Sequence, residues 1–137
     1  MDIRQITPRY SVTPQISVED LPAIKAAGFT RVICNRPDEE NPPSHQAAAI
    51  EAAAKEQGVD FVVLPLTHQT MTPDNIAKQA DLAETAGGPV LAYCASGTRS
   101  TVAWALGQAG KMSADDILLT TAKAGYMLNQ LRPQLEA

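Results

Sequence analysis

The sequence predicts an α/β fold, a mostly parallel central sheet flanked by helices, and three observations lead to it. Short apolar runs with strand character recur along the chain. Helix-like segments with caps and stops fall between them. Successive strands are therefore joined through helices, the connection that parallel pairing needs. No repeat, low-complexity linker or shift in composition marks a boundary, so residues 1–137 read as one domain. Hydrophobic residues make up 45% of the chain, enough for a real core, but aromatics only 4%. Alanine and aliphatic side chains must then supply most of the packing.

After a short N-terminal extended stretch, Ser17-Val18-Glu19-Asp20 reads as a capped helix start and Gly28 as its stop. Phe29 to Arg36, FTRVICNR, is a buried strand broken by the loop PDEENPP. Ser44 to Gln57 is alanine-rich and helical, closed by Gly58. Asp60 to Leu66, DFVVLPL, is the next strand. Thr72-Pro73 offers an N-cap with proline at the first helical position, and that helix ends at Gly87-Gly88. Pro89 to Cys94, PVLAYC, is a third apolar strand, and Ser100 to Gln108 resumes helical character. Ser113-Ala114-Asp115-Asp116 caps a further helix, and the C-terminal segment is helical despite Pro133.

Composition removes several functional classes. A net charge of -4 argues against a nucleic-acid footprint. No run approaches the ~18 apolar residues of a membrane helix, and MDIRQITPRY lacks the apolar core of a signal peptide. Two cysteines without a CxxC or a Cys/His cluster fit a reducing compartment, no metal site and no cofactor. The expected location is cytoplasmic, with neither nucleic acid nor membrane as partner.

The chemistry concentrates in Tyr93 to Thr101, YCASGTRST. In a parallel α/β sheet, ligands bind beyond the carboxyl ends of strands, where Cys94 falls. Ala95, Ser96, Gly97 and Thr98 let the backbone curl with its N–H groups inward, a nest that attracts an anion together with the following helix N-terminus. The same field favours a thiolate. Arg99 adds a planar fork for two oxygens of an oxyanion. Ser100 or Thr101 is placed to give a hydroxyl hydrogen bond to the sulfur or leaving group. The plainer alternative makes Cys94 a core residue and Arg99 a surface charge.

These residues resemble a known family. CASGTRS is similar to the active loops of rhodanese sulfurtransferases and of cysteine-dependent protein phosphatases. The wider chain resembles the beta-lactamase-hydrolase-like phosphatase family through Gln15, the stretch Asn35 to Asp38, the GPVLAYC strand before SGTRS, Trp104, and the AGY segment Ala124 to Tyr126. The resemblance implies a dual-specificity-phosphatase-like fold, and relatives of this domain occur fused to persulfide-oxidising enzymes.

Spacing then bears on the reaction. Tyrosine phosphatases place five residues between cysteine and arginine and usually a histidine before the cysteine. Here four residues intervene and Tyr93 precedes, the rhodanese loop length. Phosphoester cleavage also needs an acid for the leaving oxygen. The loop expected to carry it, Thr67 to Met71, has no carboxylate, and Asp74 suits a helix first turn; Asp38 and His68 are candidates for the acid, against the plainer readings of a solvated turn and a surface histidine. The expected function is therefore sulfur transfer, with a Cys94 persulfide taking sulfane sulfur from a persulfide or thiosulfate and passing it to an acceptor thiol. Ala95 stands where many rhodanese loops carry arginine, which weighs against thiosulfate and towards a small-thiol persulfide. The alternatives are a phosphatase working on a phosphoester through a phosphocysteine, and a non-catalytic redox or anion sensor.

Supporting roles are open at three positions. Arg36, at the ligand-side end of its strand, either pairs with Asp38 or orients the active loop. Cys34 is either a core cysteine or a redox partner for Cys94. Trp104, with Ala103 and Leu106, packs on the sheet, and His45 lies on the surface.

Overall fold

The computed structural model describes all 137 residues. Its strands are β1 (Arg4–Thr7), β2 (Tyr10–Thr13), β3 (Arg31–Cys34), β4 (Asp60–Val63) and β5 (Val90–Tyr93). Its α-helices are α1 (Leu21–Ala26), α2 (Ala47–Glu56), α3 (Pro73–Thr85), α4 (Thr98–Gly107), α5 (Ala114–Lys123) and α6 (Arg132–Glu136). The sheet order is β1-β2-β5-β3-β4. Every pairing is parallel except β1 with β2, so the extended N-terminal stretch forms an antiparallel hairpin on the edge of the sheet.

Side chains alternate across the sheet and divide the core in two. On one face Val32, Cys34, Leu91 and Tyr93 meet Leu21 and Ile24 of α1 and Ile50 and Ala54 of α2. On the other, Val12, Ile33, Val90 and Ala92 meet Trp104 and Ala105 of α4, Ile117 and Leu118 of α5, and Leu135 of α6. Trp104 and Ala103 are buried as expected, and Leu106 is partly so.

Local signals explain the boundaries. Asp20 accepts the Ser17 N–H at 2.9 Å and opens the turn into α1. Thr72 Oγ1 accepts from Asn75 N at 3.2 Å, and Ser113 Oγ from Asp116 N at 3.1 Å, satisfying amides that α3 and α5 leave unpaired. Pro133 sits in the first turn of α6, where its missing N–H removes no helical bond. The strands are shorter than the apolar runs suggest. After β4 the chain continues extended, with Leu64 N and Leu66 N donating to the carbonyls of Cys34 and Asn35, but Pro65 between them has no N–H to give. Helix α4 begins at Thr98 rather than Ser100, because Gly97 at φ +88° turns the chain directly into the helix. Arg99 consequently belongs to the helix's first turn.

Beneath that turn lies a buried polar network. Asn35 Nδ2 donates to Leu64 O and to Gln79 Oε1, each at 2.9 Å. Asn35 Oδ1 accepts from Gln79 Nε2 at 2.9 Å and from Ser100 Oγ at 2.8 Å. Gln79 Nε2 also donates to the Tyr10 hydroxyl, which in turn donates to Ser100 O at 2.7 Å. Burial drives the Tyr10 pKa well above its ordinary value, so the phenol stays protonated and can donate. One closed circuit thus fastens β2, the end of β3, α3 and α4 together. Replacing Gln79 with leucine should strand the Asn35 amide and destabilise the fold by about 1–3 kcal/mol, read from urea denaturation; an unchanged midpoint would mean that water takes over the amide's bonds.

Candidate active site

Cys94 follows the last residue of β5, in the middle of the sheet and at its carboxyl edge. Its side chain is fully buried beneath the loop, and Gly97 N donates to Sγ at 3.1 Å. The loop holds that amide in place by tying its carbonyls down on the outside. Ala95 O accepts from Gln15 N at 3.3 Å, Ser96 O from the Tyr126 hydroxyl at 3.1 Å, and Gly97 O from Thr101 N and Oγ1 at 3.0 and 2.8 Å. In a trans peptide the carbonyl and the following N–H point in opposite directions. Holding Ser96 O against Tyr126 therefore turns Gly97 N–H onto the sulfur. Gly97 is required twice over, for its positive φ and because a Cβ there would collide with the Tyr126 hydroxyl.

Arg99 is half-buried and fixed by three bonds. Nη1 donates to Glu40 Oε2 and to Leu66 O, both at 2.9 Å, and Nη2 donates to Glu40 Oε1 at 2.7 Å. A guanidinium has five N–H donors. The two left over, on Nε and Nη2, share one edge, the arrangement that grips two oxygens of one anion. Its pKa is raised first by the Glu40 hydrogen bond, and the sulfur of Cys94 lies close enough to add to the effect. Glu40 is correspondingly held below the usual glutamate range, first by its bond to Arg99.

The other expected residues fall as follows. Arg36 does reach the same edge, but its ion-pair partner is Glu40, with Nε to Oε1 at 3.2 Å; Nη1 donates to Gln15 Oε1 at 3.3 Å. The Arg36–Asp38 pairing is thus corrected. Asp38 Oδ1 instead accepts from Ala47 N at 2.8 Å and caps α2. The hydroxyls of Ser100 and Thr101 donate to Asn35 and to Gly97 O, so neither is spent on the sulfur. Cys34 and Cys94 are both free thiols. The β3–β5 register sets Cys34 beside Tyr93, and alternation puts the next residue, Cys94, on the opposite face. The redox pairing therefore lacks its geometry. Cys34 Sγ donates to Arg36 O at 3.4 Å, and burial pushes its thiol pKa up. Tyr93 packs beside it with its hydroxyl enclosed and unpartnered. His45 is half-buried, its Nδ1 2.9 Å from Ser44 Oγ.

Four residues of the site carry no local signal. Glu40 reads as a solvated acid in PDEE, Gln79 as the polar face of a helix, Tyr10 as part of an edge segment, and Tyr126 as a residue distant in sequence. No group of three or more His, Cys, Asp or Glu side chains is placed to hold a metal ion, and no helix is long and apolar enough to cross a membrane.

A central parallel sheet, a cysteine at the end of its middle strand and an arginine in the following helix turn define an α/β protein of the cysteine-phosphatase-like, dual-specificity type. Solved structures of that type superpose on nearly the whole chain. PTPMT1 matches with a TM-score of 0.77 at 16% identity, covering 98% of this chain and 91% of that one. A candidate phosphatase from Neisseria meningitidis Z2491 matches with a TM-score of 0.88 at 30% identity, covering 99% and 97%. Residues 2–111 match the family described as beta-lactamase hydrolase-like protein, phosphatase-like domain, and the chain belongs to that family. Beta-lactamase hydrolase-like proteins of Agrobacterium fabrum C58 and Xylella fastidiosa 9a5c are 35% and 28% identical over 116 and 138 residues, covering 82% and 99% of this chain. The chain spans only 27% and 32% of the length of those two proteins.

Two outcomes follow from this geometry. Tyr126→Phe frees Ser96 O and loosens the amide on the sulfur, so alkylation of Cys94 by iodoacetamide at neutral pH should slow several-fold, with Cys34 followed by mass mapping as the internal reference. Glu40 has a folded pKa below its unfolded value near 4.3, so its stabilisation is complete above that value and is lost as pH falls through the depressed one. The melting-temperature gap between wild type and Glu40→Gln should therefore be open at neutral pH and close in acid below about 4.3.

Proposed function

We propose that the chain is a cysteine-dependent phosphatase acting on phosphomonoesters. The observation that carries this reading is the free edge of Arg99. With Glu40 and Leu66 occupying three donors, the remaining pair presents a side-on fork for two oxygens, beside a sulfur already bonded by a backbone amide. A phosphoryl group has the oxygens to fill the fork, the nest and the free amides at the start of α4. Membership of a phosphatase-like domain family supports the same reading.

In the proposed cycle the Cys94 thiolate attacks phosphorus and the bond to the ester oxygen breaks, giving a phosphocysteine and, as the leaving oxygen takes a proton, an alcohol. Water then attacks the phosphocysteine, the sulfur–phosphorus bond breaks, and inorganic phosphate leaves with the thiolate restored. Arg99 and the loop amides hold the equatorial oxygens throughout. Glu40, shared by Arg99 and Arg36, acts through Arg99 as a positioning residue.

The interval of four residues between Cys94 and Arg99 favours a second reading, sulfur transfer through a Cys94 persulfide. It is the weaker of the two, since the terminal sulfur of a persulfide has no pair of oxygens for the fork.

Both are decided in one experiment. Wild type should release phosphate from an aryl phosphate and, when quenched during turnover, gain the mass of one phosphoryl group. Cys94→Ser should abolish both, and Arg99→Lys, which keeps charge but loses the fork, should lower kcat/KM by about 100-fold to 1,000-fold. A gain of one sulfur atom after treatment with glutathione persulfide, discharged by thiol and unaccompanied by phosphate release, would transfer the assignment to sulfur chemistry.

A further inference from the structure

One wall of a cavity of about 450 Å³ is Arg99 itself. Its other walls are Thr67, His68 and Met71 from the β4–α3 connection, Val102 and Leu106 from α4, and Leu131 and Gln134 near the C-terminus. The space is within the range of small-molecule sites and shares Arg99 with the anion cradle. Met71, Val102, Leu106 and Leu131 make it largely apolar. No carboxylate lines it, and the one imidazole that does belongs to His68.

The segment carrying His68 is held firmly. Thr67 N donates to Thr70 Oγ1 at 2.7 Å and Thr70 N to Thr67 Oγ1 at 3.2 Å, closing the turn on itself. Thr70 Oγ1 also donates to Pro65 O, and Asn75 Nδ2 anchors the turn to α3 through Thr70 O at 2.8 Å. Leu66 O, one residue before the turn, accepts from Arg99. The imidazole is exposed, enters none of these bonds, and is free to face a ligand.

We propose that this cavity receives the leaving group of a phosphomonoester whose alcohol is apolar, an aryl or extended alkyl group, and that His68 is the catalytic acid that protonates its oxygen. The proposal rests on the phosphatase reading and names its substrate class. As the thiolate attacks phosphorus, the scissile oxygen takes the proton of the His68 imidazolium and leaves as a neutral alcohol. In the second step the neutral imidazole accepts a proton from the attacking water as the sulfur–phosphorus bond breaks, and the cycle closes with no other reactant. Protonation by a positioned side chain is worth about 10²–10⁴-fold, and its need grows with the basicity of the leaving oxygen. A polyol leaving group forgoes the apolar contacts of Met71, Val102, Leu106 and Leu131 and is disfavoured.

The test measures kcat/KM for wild type, His68→Asn and Cys94→Ser over substituted phenyl phosphates, naphthyl phosphate and glycerol phosphate. Expected are a preference for aryl over glycerol phosphate and a His68→Asn loss of about 100-fold or more on unsubstituted phenyl phosphate. The loss should shrink steeply on dinitrophenyl phosphate, whose phenoxide leaves without a proton. Met71→Gln, on the turn, should raise KM for naphthyl phosphate more than for phenyl phosphate. Equal losses across leaving groups, or none, would overturn the role of His68 while leaving the phosphatase reading intact. A preference for glycerol phosphate would overturn the substrate class. Absence of any Cys94-dependent hydrolysis by wild type would overturn the phosphatase reading, and this proposal with it.

Discussion

A trans peptide cannot point its carbonyl and its N–H at the same place, and the site is built on that constraint. Three consecutive carbonyls, those of Ala95, Ser96 and Gly97, are each claimed by a donor outside the loop. The donors come from three places: Gln15 beyond β2, Tyr126 after α5, and Thr101 within α4. The inward direction of the Gly97 amide is thus imposed from outside, by elements far apart in sequence. A local motif alone could not do this, because an unrestrained glycine-containing loop has too many accessible conformations. The cradle is a property of the whole fold.

The same logic extends one layer down. The loop keeps its shape only if β5, β3 and the start of α4 keep their spacing. The Asn35 side chain sets it by bonding to Leu64 O, Gln79 and Ser100 at once. Ser100, a natural candidate for chemistry because it follows Arg99, is instead a fastener. Its hydroxyl is bound to Asn35 and its carbonyl to Tyr10. Every member of the circuit has a partner, and a fully satisfied buried network rigidifies a core where a partly satisfied one weakens it. The single unpartnered hydroxyl nearby is that of Tyr93, on the opposite face of the sheet beside Cys34.

What the sequence makes legible is local. The strand–loop–helix unit around Cys94, the nest residues and the arginine that closes it announce themselves because small residues, a thiol and a guanidinium cluster within a few positions. Helix caps at Thr72 and Ser113 are equally plain, since each concerns amides three residues away. The edge hairpin is not, because two four-residue strands with polar residues give little periodicity. Glu40 is missed for a related reason: an acid in a proline-flanked turn looks solvated until the fold brings an arginine fifty-nine residues later against it. Asp38 errs in the other direction, since nothing in PDEENPP announces that its carboxylate will cap the amide of Ala47. The reading of the reaction turned on loop length, a local count. The orientation of Arg99, which bears on it more directly, depends on Glu40 and Leu66.

Charge gives the last reason to favour an oxyanion. Ala95 leaves the loop with a single guanidinium, but Arg36 arrives from the end of β3 and shares Glu40 Oε1 with Arg99. Two guanidiniums thus converge on one carboxylate at the edge of the sheet that carries Cys94. Asp38 also caps α2, and its charge is felt at Cys34 and Tyr93 on the other face of the sheet. A phosphoryl dianion, the proposed substrate group, would meet one arginine edge already oriented and the Gly97 amide that bonds the sulfur. In the proposed cycle these dipoles need not reorganise as charge moves from sulfur to the phosphoryl oxygens and back. The terminal sulfur of a persulfide, carrying no oxygens, does not span the two N–H groups that Glu40 and Leu66 leave free on Arg99. The fixed fork of Arg99 is matched by a pair of oxygens on one anion.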